Sequence, residues 1–277
     1  MIFSDWHIHS EYSYDASNKL ETIAENAKEH GLKWVGITDH LNYNDKSFIG
    51  DLTASANAVK EAQEKYPYMV LGVELTTVPL PELQYCAKTG TREGYVEPIT
   101  DKPYEVGLAL SKEELKKFGV RYAVAAAHWD LSVPVAQRKE QSIDNVIKDW
   151  HRQQMWLAVD ERTTILAHPW YHGGSIWYED FSVIPRSMND ELASALKQNG
   201  KHVECNSHFF HTKKATEKFK NQYAEFLREL FEKGLKITYG SDAHNSYSNN
   251  KLNVEDYLKK AGFKTGDIYD LTEKDFW

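Results

Sequence analysis

Short apolar segments alternate with amphipathic helical patterns along almost the whole of this 277-residue chain. Seven of these segments have the length and composition of buried strands, and we predict strands at 1–7, 34–40, 70–75, 122–128, 164–169, 202–206 and 236–242. Helical spacing predicts helices at about 18–30, 51–65, 142–162, 189–199, 214–233 and 253–261. Strands that alternate with helices in this way form a parallel sheet covered by the helices.

Two architectures satisfy this alternation, an open doubly wound sheet and a closed barrel. No glycine-rich phosphate loop follows the first strand, which disfavours a dinucleotide-binding open sheet. We therefore predict one α/β domain over residues 1–277, built as a (β/α)7 barrel. Residues 79–118 interrupt the alternation with four prolines and are expected to form an inserted excursion, or lid, at the mouth of the barrel.

Charge and composition narrow the class of protein. The chain has 33 basic and 41 acidic residues, a formal net charge of −8, and no long basic block, so a nucleic acid polymer is an unlikely partner. We find no long apolar run for a membrane span and no signal peptide at the start. The two cysteines, Cys86 and Cys205, argue against a disulfide framework, and we expect a cytoplasmic protein.

The ends of the predicted strands carry residue types that ligate metals. Six of the seven strands end in this way, and the residues are His7 with His9, His40, Glu74, His128, His168, and Asp242 with His244. The sixth strand ends in Glu204 and Asn206. Because the carboxyl ends of parallel strands form one face of a β/α fold, we expect these side chains to converge.

The number of these side chains exceeds what one tetrahedral zinc ion needs. Glu74 lies among Val70, Leu71, Val73 and Leu75, where an unpaired carboxylate would be strongly desolvated unless it bridged cations. The pattern therefore predicts two or three divalent ions. Nitrogen and oxygen ligands without thiolate suit zinc, manganese or iron. We further expect Asp5 to orient one of the histidines.

The motifs at these strand ends resemble those of the PHP (polymerase and histidinol phosphatase) superfamily. They occur in the family's order over residues 5–244 and read DWHIHS at 5–10, ITDH at 37–40, GVE at 72–74, AH at 127–128, ILAHP at 165–169 and GSDAH at 240–244. The resemblance implies a distorted seven-stranded TIM-like barrel with a trinuclear metal site at the carboxyl ends of the strands.

The resemblance also implies an allocation of ligands. His7, His9, Glu74 and Asp242 would hold one ion, and Glu74 would bridge to a second ion held also by His128 and His168. His40, His244 and Asp15 would hold the third. Asp15 enters this set only by its position after Ser13 and Tyr14.

By the same resemblance, to stand-alone histidinol-phosphatase-like enzymes, we predict a hydrolase that acts on a small-molecule phosphate monoester through a metal-bridging hydroxide. Such a cluster lowers the pKa of a bound water and neutralises phosphoryl oxygens. Asp15, His40 and His208 are alternative donors of the proton that the leaving group needs. Arg138 and Arg186 are candidate substrate contacts, because phosphate recognition commonly uses arginine. Two other functions stay open: a phosphodiesterase or exonuclease acting on nucleotides, and a metal-binding module without catalysis.

Overall fold

Parallel strands arranged around one axis form the centre of the computed structural model, which describes residues 1–173, 176–245 and 251–277, without the side chains of residues 251 and 252. The strands are β1 (Ser4–Ile8), β2 (Trp34–Ile37), β3 (His40–Leu41), β4 (Met69–Thr76), β5 (Val78–Pro79), β6 (Val106–Gly107), β7 (Tyr122–Ala126), β8 (Ile165–Leu166), β9 (His202–Asn206) and β10 (Ile237–Gly240). The helices are α1 (Leu20–Glu29), α2 (Lys46–Lys65), α3 (Leu80–Thr89), α4 (Lys112–Lys117), α5 (Ile143–Val159), α6 (Arg186–Gln198), α7 (His208–His211), α8 (Glu217–Glu232) and α9 (Lys251–Lys260).

The strand order is β1-β2-β4-β7-β8-β9-β10, with β3 continuing the β2 position along β4, and every pairing along it is parallel. The first and last strands meet through short backbone bonds. The Asp242 N–H donates to the His7 carbonyl at 2.7 Å, and the His9 N–H donates to the Ala243 carbonyl at 3.1 Å. The predicted seven-stranded barrel is therefore confirmed, in a nearly closed form.

The segment expected to be an excursion connects β4 to β7, which are neighbours in the barrel. It contains a two-stranded antiparallel sheet of β5 and β6, together with α3 and α4. Helix α3 is absent from the predicted helices, because the four prolines of residues 79–118 indicate an interruption of regular structure. The structure places Pro79 at the N-cap and Pro81 in the first turn, where the missing N–H is harmless.

The outer helices bury the faces predicted from their spacing. Leu20, Ile23, Ala24 and Ala27 of α1 are buried, as are Phe219, Tyr223, Phe226 and Leu230 of α8. Helix α2 begins five residues earlier than predicted, because the Asp45 carboxylate caps the N–H groups of Ser47 and Phe48. Helices of the described chain lack the combination of length and apolar character that a membrane span requires.

The interior of the barrel is filled by side chains below the strand ends. A separate buried cluster contains Trp6, Val70, Tyr122, Val124, Ala126, Ile165, Ala167 and Leu271. The Tyr122 hydroxyl donates to the Trp6 carbonyl at 2.7 Å and occupies the space beside Gly36, where a Cβ would lie 1.7 Å from the hydroxyl oxygen. Phe276, near the carboxyl terminus, packs against Trp6 and Tyr122. A packed floor therefore lies directly below His7.

Candidate metal centre

All nine predicted metal ligands lie at the carboxyl ends of the barrel strands or in the loops that follow them. They form three groups in which the ligand atoms lie within 4.8 Å of one another. The groups are His7, His9 and Asp242; Glu74, His128 and His168; and His9, Asp15, His40 and His244. The topology thus brings together residues that are up to 237 positions apart in the sequence, from His7 to His244.

The first group joins the two ends of the barrel. His7 Nε2 lies 3.1 Å from His9 Nε2, and Asp242 Oδ1 lies 3.5 Å and 3.2 Å from these two nitrogens. Both histidines are fully buried. They project to the same side because they are two residues apart at the end of an extended strand.

Glu74 belongs to the second group and also faces the first. Its Oε2 atom is 3.5 Å from His7 Nε2 and 3.4 Å from His9 Nε2, whereas its Oε1 atom is 3.0 Å from His168 Nε2 and 3.4 Å from His128 Nε2. The two imidazoles of the second group approach each other to 3.2 Å through their Nε2 atoms. One carboxylate thus faces both groups, one oxygen to each.

The third group surrounds Asp15, the ligand that sequence placed least firmly. Asp15 Oδ2 lies 3.3 Å from His40 Nε2 and 3.5 Å from His244 Nε2. The His9 ring lies between the other two imidazoles, with centroid distances of 4.4 Å to His40 and 4.1 Å to His244. Asp15 is therefore part of the cluster.

The donor set fits divalent cations. Ligands about 2.0–2.1 Å from a tetrahedral ion lie roughly 3.3 Å apart, which matches the distances of 3.0–3.5 Å within the first two groups. In the described part of the chain, buried polar atoms without a hydrogen-bond partner include Glu74 Oε2, His40 Nδ1 and His168 Nδ1. Glu74 Oε2 and His40 Nδ1 are only 2.8 Å apart, yet their orientation makes no hydrogen bond. Such atoms are expected where a cation supplies the missing interaction.

The charge states of Glu74, His9 and His128 suit ligation. His7 and His40 differ, because burial lowers their pKa but the surrounding carboxylates outweigh it and raise it, so a cation would displace a proton from each. Burial alone would raise the pKa of Glu74, but the imidazoles of His40 and His7 outweigh it and hold that pKa well below its usual value. Burial lowers the pKa of His9 and of His128 to about 3 in each case. Glu74 is therefore anionic, and His9 and His128 are neutral near pH 7, the states in which carboxylates and imidazoles bind metals.

Glu204 is the residue whose role the sequence left open. Its side chain is 1% exposed, and its Oε1 atom lies 2.7 Å from His7 Nδ1. Its Oε2 atom accepts the His168 N–H at 2.6 Å and the Asn206 side-chain amide at 3.1 Å. Glu204 therefore contacts His7 of the first ligand group and accepts a hydrogen bond from His168 of the second. The spacing of Glu204 and Asn206, two apart on one strand, was the available signal.

Asp5, which we expected to orient one of the histidines, contacts the backbone of His7. Asp5 Oδ1 accepts the backbone N–H of His7 at 3.3 Å and that of Ser241 at 2.9 Å. It fixes the backbone where β1 meets β10, whereas the carboxylate beside the His7 ring is that of Glu204. Gly240 permits this arrangement, because a Cβ there would lie 1.9 Å from Glu204 Oε1.

Two ligand residues have backbone conformations that are rare for residues with side chains. His168 has φ of 25° and Asp242 has φ of 54°. The predicted strand over 164–169 accordingly stops at Leu166, and the chain turns His168 toward the cluster. Conformations of this kind cost about 1–3 kcal/mol each and concentrate at functional sites.

A cavity of about 250 Å³ opens above the cluster. Its walls include the rings of Tyr14, Trp129 and Tyr171, and Tyr14 stacks on His40 with a centroid distance of 5.2 Å. Among the residues that the structure describes, no lysine or arginine lines this cavity. The cavity thus combines a polar floor of metal ligands with aromatic walls.

The remaining predicted residues lie outside this lining. His208 is exposed, and its ring centroid is 5.6 Å from that of Tyr171. Arg138 lines a neighbouring cavity, which also contacts Trp129. Arg186 lies at the start of α6, with its side chain 77% exposed and 3.5 Å from the Glu229 carboxylate. The structure therefore does not bring Arg186 to the cluster.

The chain is similar to two phosphatases, one by sequence and one by fold. A probable phosphatase from Acetivibrio thermocellus is 28% identical over 247 residues, which cover 88% of this chain and 80% of the relative. The crystal structure of histidinol phosphate phosphatase from Lactococcus lactis subsp. lactis, complexed with zinc, L-histidinol and phosphate, superposes with a TM-score of 0.64 at 16% identity. That match covers 97% of this chain and 98% of the other and shows that the two share a fold.

The family model named PHP domain matches residues 5–260, from the strand that carries His7 to the last helix. This range includes every strand end described above, in the order that the sequence motifs predicted. The resemblance proposed from the motifs is confirmed, and the chain belongs to the PHP domain family.

Proposed function

We propose that this protein is a metal-dependent phosphoesterase that hydrolyses a small-molecule phosphate monoester. The observation that carries the proposal is Glu74, a buried carboxylate that faces two ligand groups with one oxygen each. Sites that hold neighbouring divalent ions in this way stabilise both oxygens of an in-line phosphoryl displacement. The phosphatase relative and the zinc, histidinol and phosphate in the Lactococcus lactis structure support the same chemistry.

In this proposal two to three ions, of zinc, manganese or iron, bind the chain. His7, His9, Glu74 and Asp242 hold the first, Glu74, His128 and His168 the second, and Asp15, His40 and His244 the third. Bound cations of this kind supply an activated water and neutralise the phosphoryl oxygens. The protein orients the ligands through Glu204 and through Thr76, whose hydroxyl lies 3.0 Å from His128 Nδ1.

The walls of the cavity bind the rest of the substrate. Tyr14, Trp129 and Tyr171 offer apolar ring faces, and a cavity of about 250 Å³ suits a small organic group better than a polymer. For the proton that the leaving oxygen needs, we propose His208, whose ring centroid lies 5.6 Å from that of the cavity-wall residue Tyr171. Asp15 is engaged by two imidazoles, which favours its role as a ligand.

The test combines elemental analysis of the purified protein with initial rates on phenyl phosphate and on a bis-aryl phosphodiester. We expect two to three equivalents of metal and chelator-sensitive turnover of the monoester. Glu74→Gln should abolish turnover, whereas Glu191→Gln, which changes an exposed carboxylate of α6, should leave it unchanged.

Each alternative function has its own outcome in this experiment. Preference for the diester would replace the proposal with a phosphodiesterase. Bound metal without turnover of either ester would favour a binding module. One equivalent of metal or none, with no turnover after reconstitution with zinc, manganese or iron, would refute the cluster itself.

A further inference from the structure

A second cavity, of about 360 Å³, shares Trp129 as a lining residue with the metal cluster's cavity. Its lining includes Tyr95 from the segment after α3 and Arg138 from the short helical turn Val135–Glu140. Trp129 lines both cavities, so a molecule bound over the cluster has the second cavity as its neighbour. None of the metal ligands contributes to this second lining.

Two polar atoms in the lining of this cavity are buried and have no hydrogen-bond partner. They are Arg138 Nε and the Tyr95 hydroxyl oxygen. The Arg138 side chain is 21% exposed, and its contact with the Glu97 carboxylate, from Nη2 to Oε1, is long at 3.7 Å. The other Glu97 oxygen accepts the Val135 N–H at 2.9 Å, which fixes the carboxylate away from Nε. A buried N–H and a buried hydroxyl of this kind are costly unless a ligand pairs with them.

The other arginine in the lining, Arg92, has its Nε atom paired with a carboxylate and its side chain 54% exposed. Its guanidinium pairs with the buried Glu82 carboxylate and stacks 4.5 Å from the Tyr43 ring centroid. Among the described residues of this lining, Arg138 is thus the arginine whose Nε atom is buried without a hydrogen-bond partner. Arginine is over-represented where proteins bind the oxygens of a carboxylate or a phosphate, and a tyrosine hydroxyl can donate a hydrogen bond to the same oxygens.

We propose that the second cavity binds a further acidic group of the same substrate. The protein would then select phosphate monoesters that carry a second oxyanion, a carboxylate or a phosphate, positioned in the second cavity by the substrate's organic part. This inference rests on the proposed phosphoesterase function. It gives the protein a cationic contact for substrate that the described lining of the metal cluster's cavity lacks.

The test uses three probes with the metal-loaded protein. Phenyl phosphate has no second acidic group, 3-(4-phosphooxyphenyl)propanoate adds a carboxylate, and 4-(phosphonomethyl)phenyl phosphate adds a group that mimics a second phosphate. We expect at least one of the two longer probes to have a KM about tenfold or more below that of phenyl phosphate. A charge-assisted hydrogen bond accounts for a difference of this size.

Two variants of the cavity lining and one control variant test the role of Arg138. Arg138→Met should remove the KM advantage of the longer probe, while an unchanged metal content and thermal unfolding midpoint report that the fold is intact. Tyr95→Phe should reduce the advantage severalfold. Lys139→Met is the matched control, because it removes the same charge from an exposed neighbour outside the cavity, and it should retain the full advantage.

Three results would overturn the inference. The first is a wild-type protein that hydrolyses phenyl phosphate but prefers neither longer probe. The second is an Arg138→Met variant that keeps the preference for the longer probe. The third is an Arg138→Met variant whose activity falls by the same factor on all three probes. If the wild-type protein hydrolyses none of the three, the proposed function fails and this inference fails with it.

Discussion

Replacing Glu204 by glutamine tests whether one buried carboxylate holds the metal ligands in place. The two side chains have nearly the same shape, but the amide presents one N–H2 group where the carboxylate has two acceptors. If the amide nitrogen faces His7 Nδ1, it meets a donor at a position only 2.7 Å away. If it faces the other way, it meets the His168 N–H at 2.6 Å. In either orientation, two hydrogen-bond donors face each other.

The expected loss has two parts. His7 relieves the first conflict by moving its proton from Nδ1 to Nε2, the atom that faces His9 and Asp242, and a protonated Nε2 does not bind a metal. Losing such a supporting hydrogen bond lowers metal affinity by about 10–100-fold, or about 1.4–2.7 kcal/mol. The unpaired donor reduces the free energy of unfolding by about 1–3 kcal/mol.

Competition with a chelator of known affinity measures the metal-binding constants, and thermal unfolding of the metal-free protein measures stability. Glu255→Gln is a suitable control. Glu255 is also a buried carboxylate, which accepts the Ile2 N–H at 2.9 Å and pairs with the Met1 amino group, with no ligand residue among these partners. It should lose stability and keep its metal affinity. If Glu204→Gln also kept wild-type affinity, Glu204 would not position the ligands.

Two further predictions concern stability. Gly240→Ala would place a Cβ 1.9 Å from Glu204 Oε1 and 2.6 Å from His7 Cβ, and we expect it to lower the free energy of unfolding by about 1–3 kcal/mol and reduce the bound metal. Gly50 lies within α2, and a Cβ there would have nothing within 4 Å, so Gly50→Ala should instead raise that free energy by about 0.5–1 kcal/mol. Equal denaturation midpoints for the two variants would contradict the packing argument. Burial raises the pKa of Asp275, but hydrogen bonds from Thr272, Tyr269 and His202 outweigh it and hold that pKa well below its usual value. The stabilisation is therefore complete above about pH 4, the usual pKa of an aspartate, and is lost as the pH falls below it. Asp275→Asn should flatten the acid side of the profile of unfolding free energy against pH, measured by urea unfolding. An unchanged acid slope would refute this assignment.

The sequence was sufficient to predict which candidate ligands converge, because their convergence depends mainly on topology. Once the strands were known to be parallel, every side chain at a carboxyl end had to lie on one face, whatever the intervening helices did. Asp15 was the exception, since it follows no strand, and only the family resemblance suggested it. The structure brings it to His40 and His244 through a loop that no periodicity describes.

What escaped prediction depended on packing between distant segments. Glu204 and Asp5 are both buried carboxylates in strands, and sequence does not tell which of them faces the His7 ring and which faces backbone N–H groups. Helix α3 was hidden by prolines that suit a helix start as well as a break. Arg138 and Arg186 looked alike as arginines after strand ends, yet only Arg138 lies in a cavity beside the cluster, because its location depends on how the segment around Glu97 folds.

The closure of the barrel between β1 and β10 also determines when the metal site can form during synthesis. His7 belongs to the first strand and His9 directly follows it, whereas Asp242 belongs to the loop after the last strand. At about 5–20 residues per second, a ribosome adds Asp242 on the order of 10–50 s after His9. During that interval the nascent chain carries these two histidines without their carboxylate partner from the far end. Complete metal loading therefore follows barrel closure, and the amount of metal retained by a refolding chain reports on whether its two ends have met.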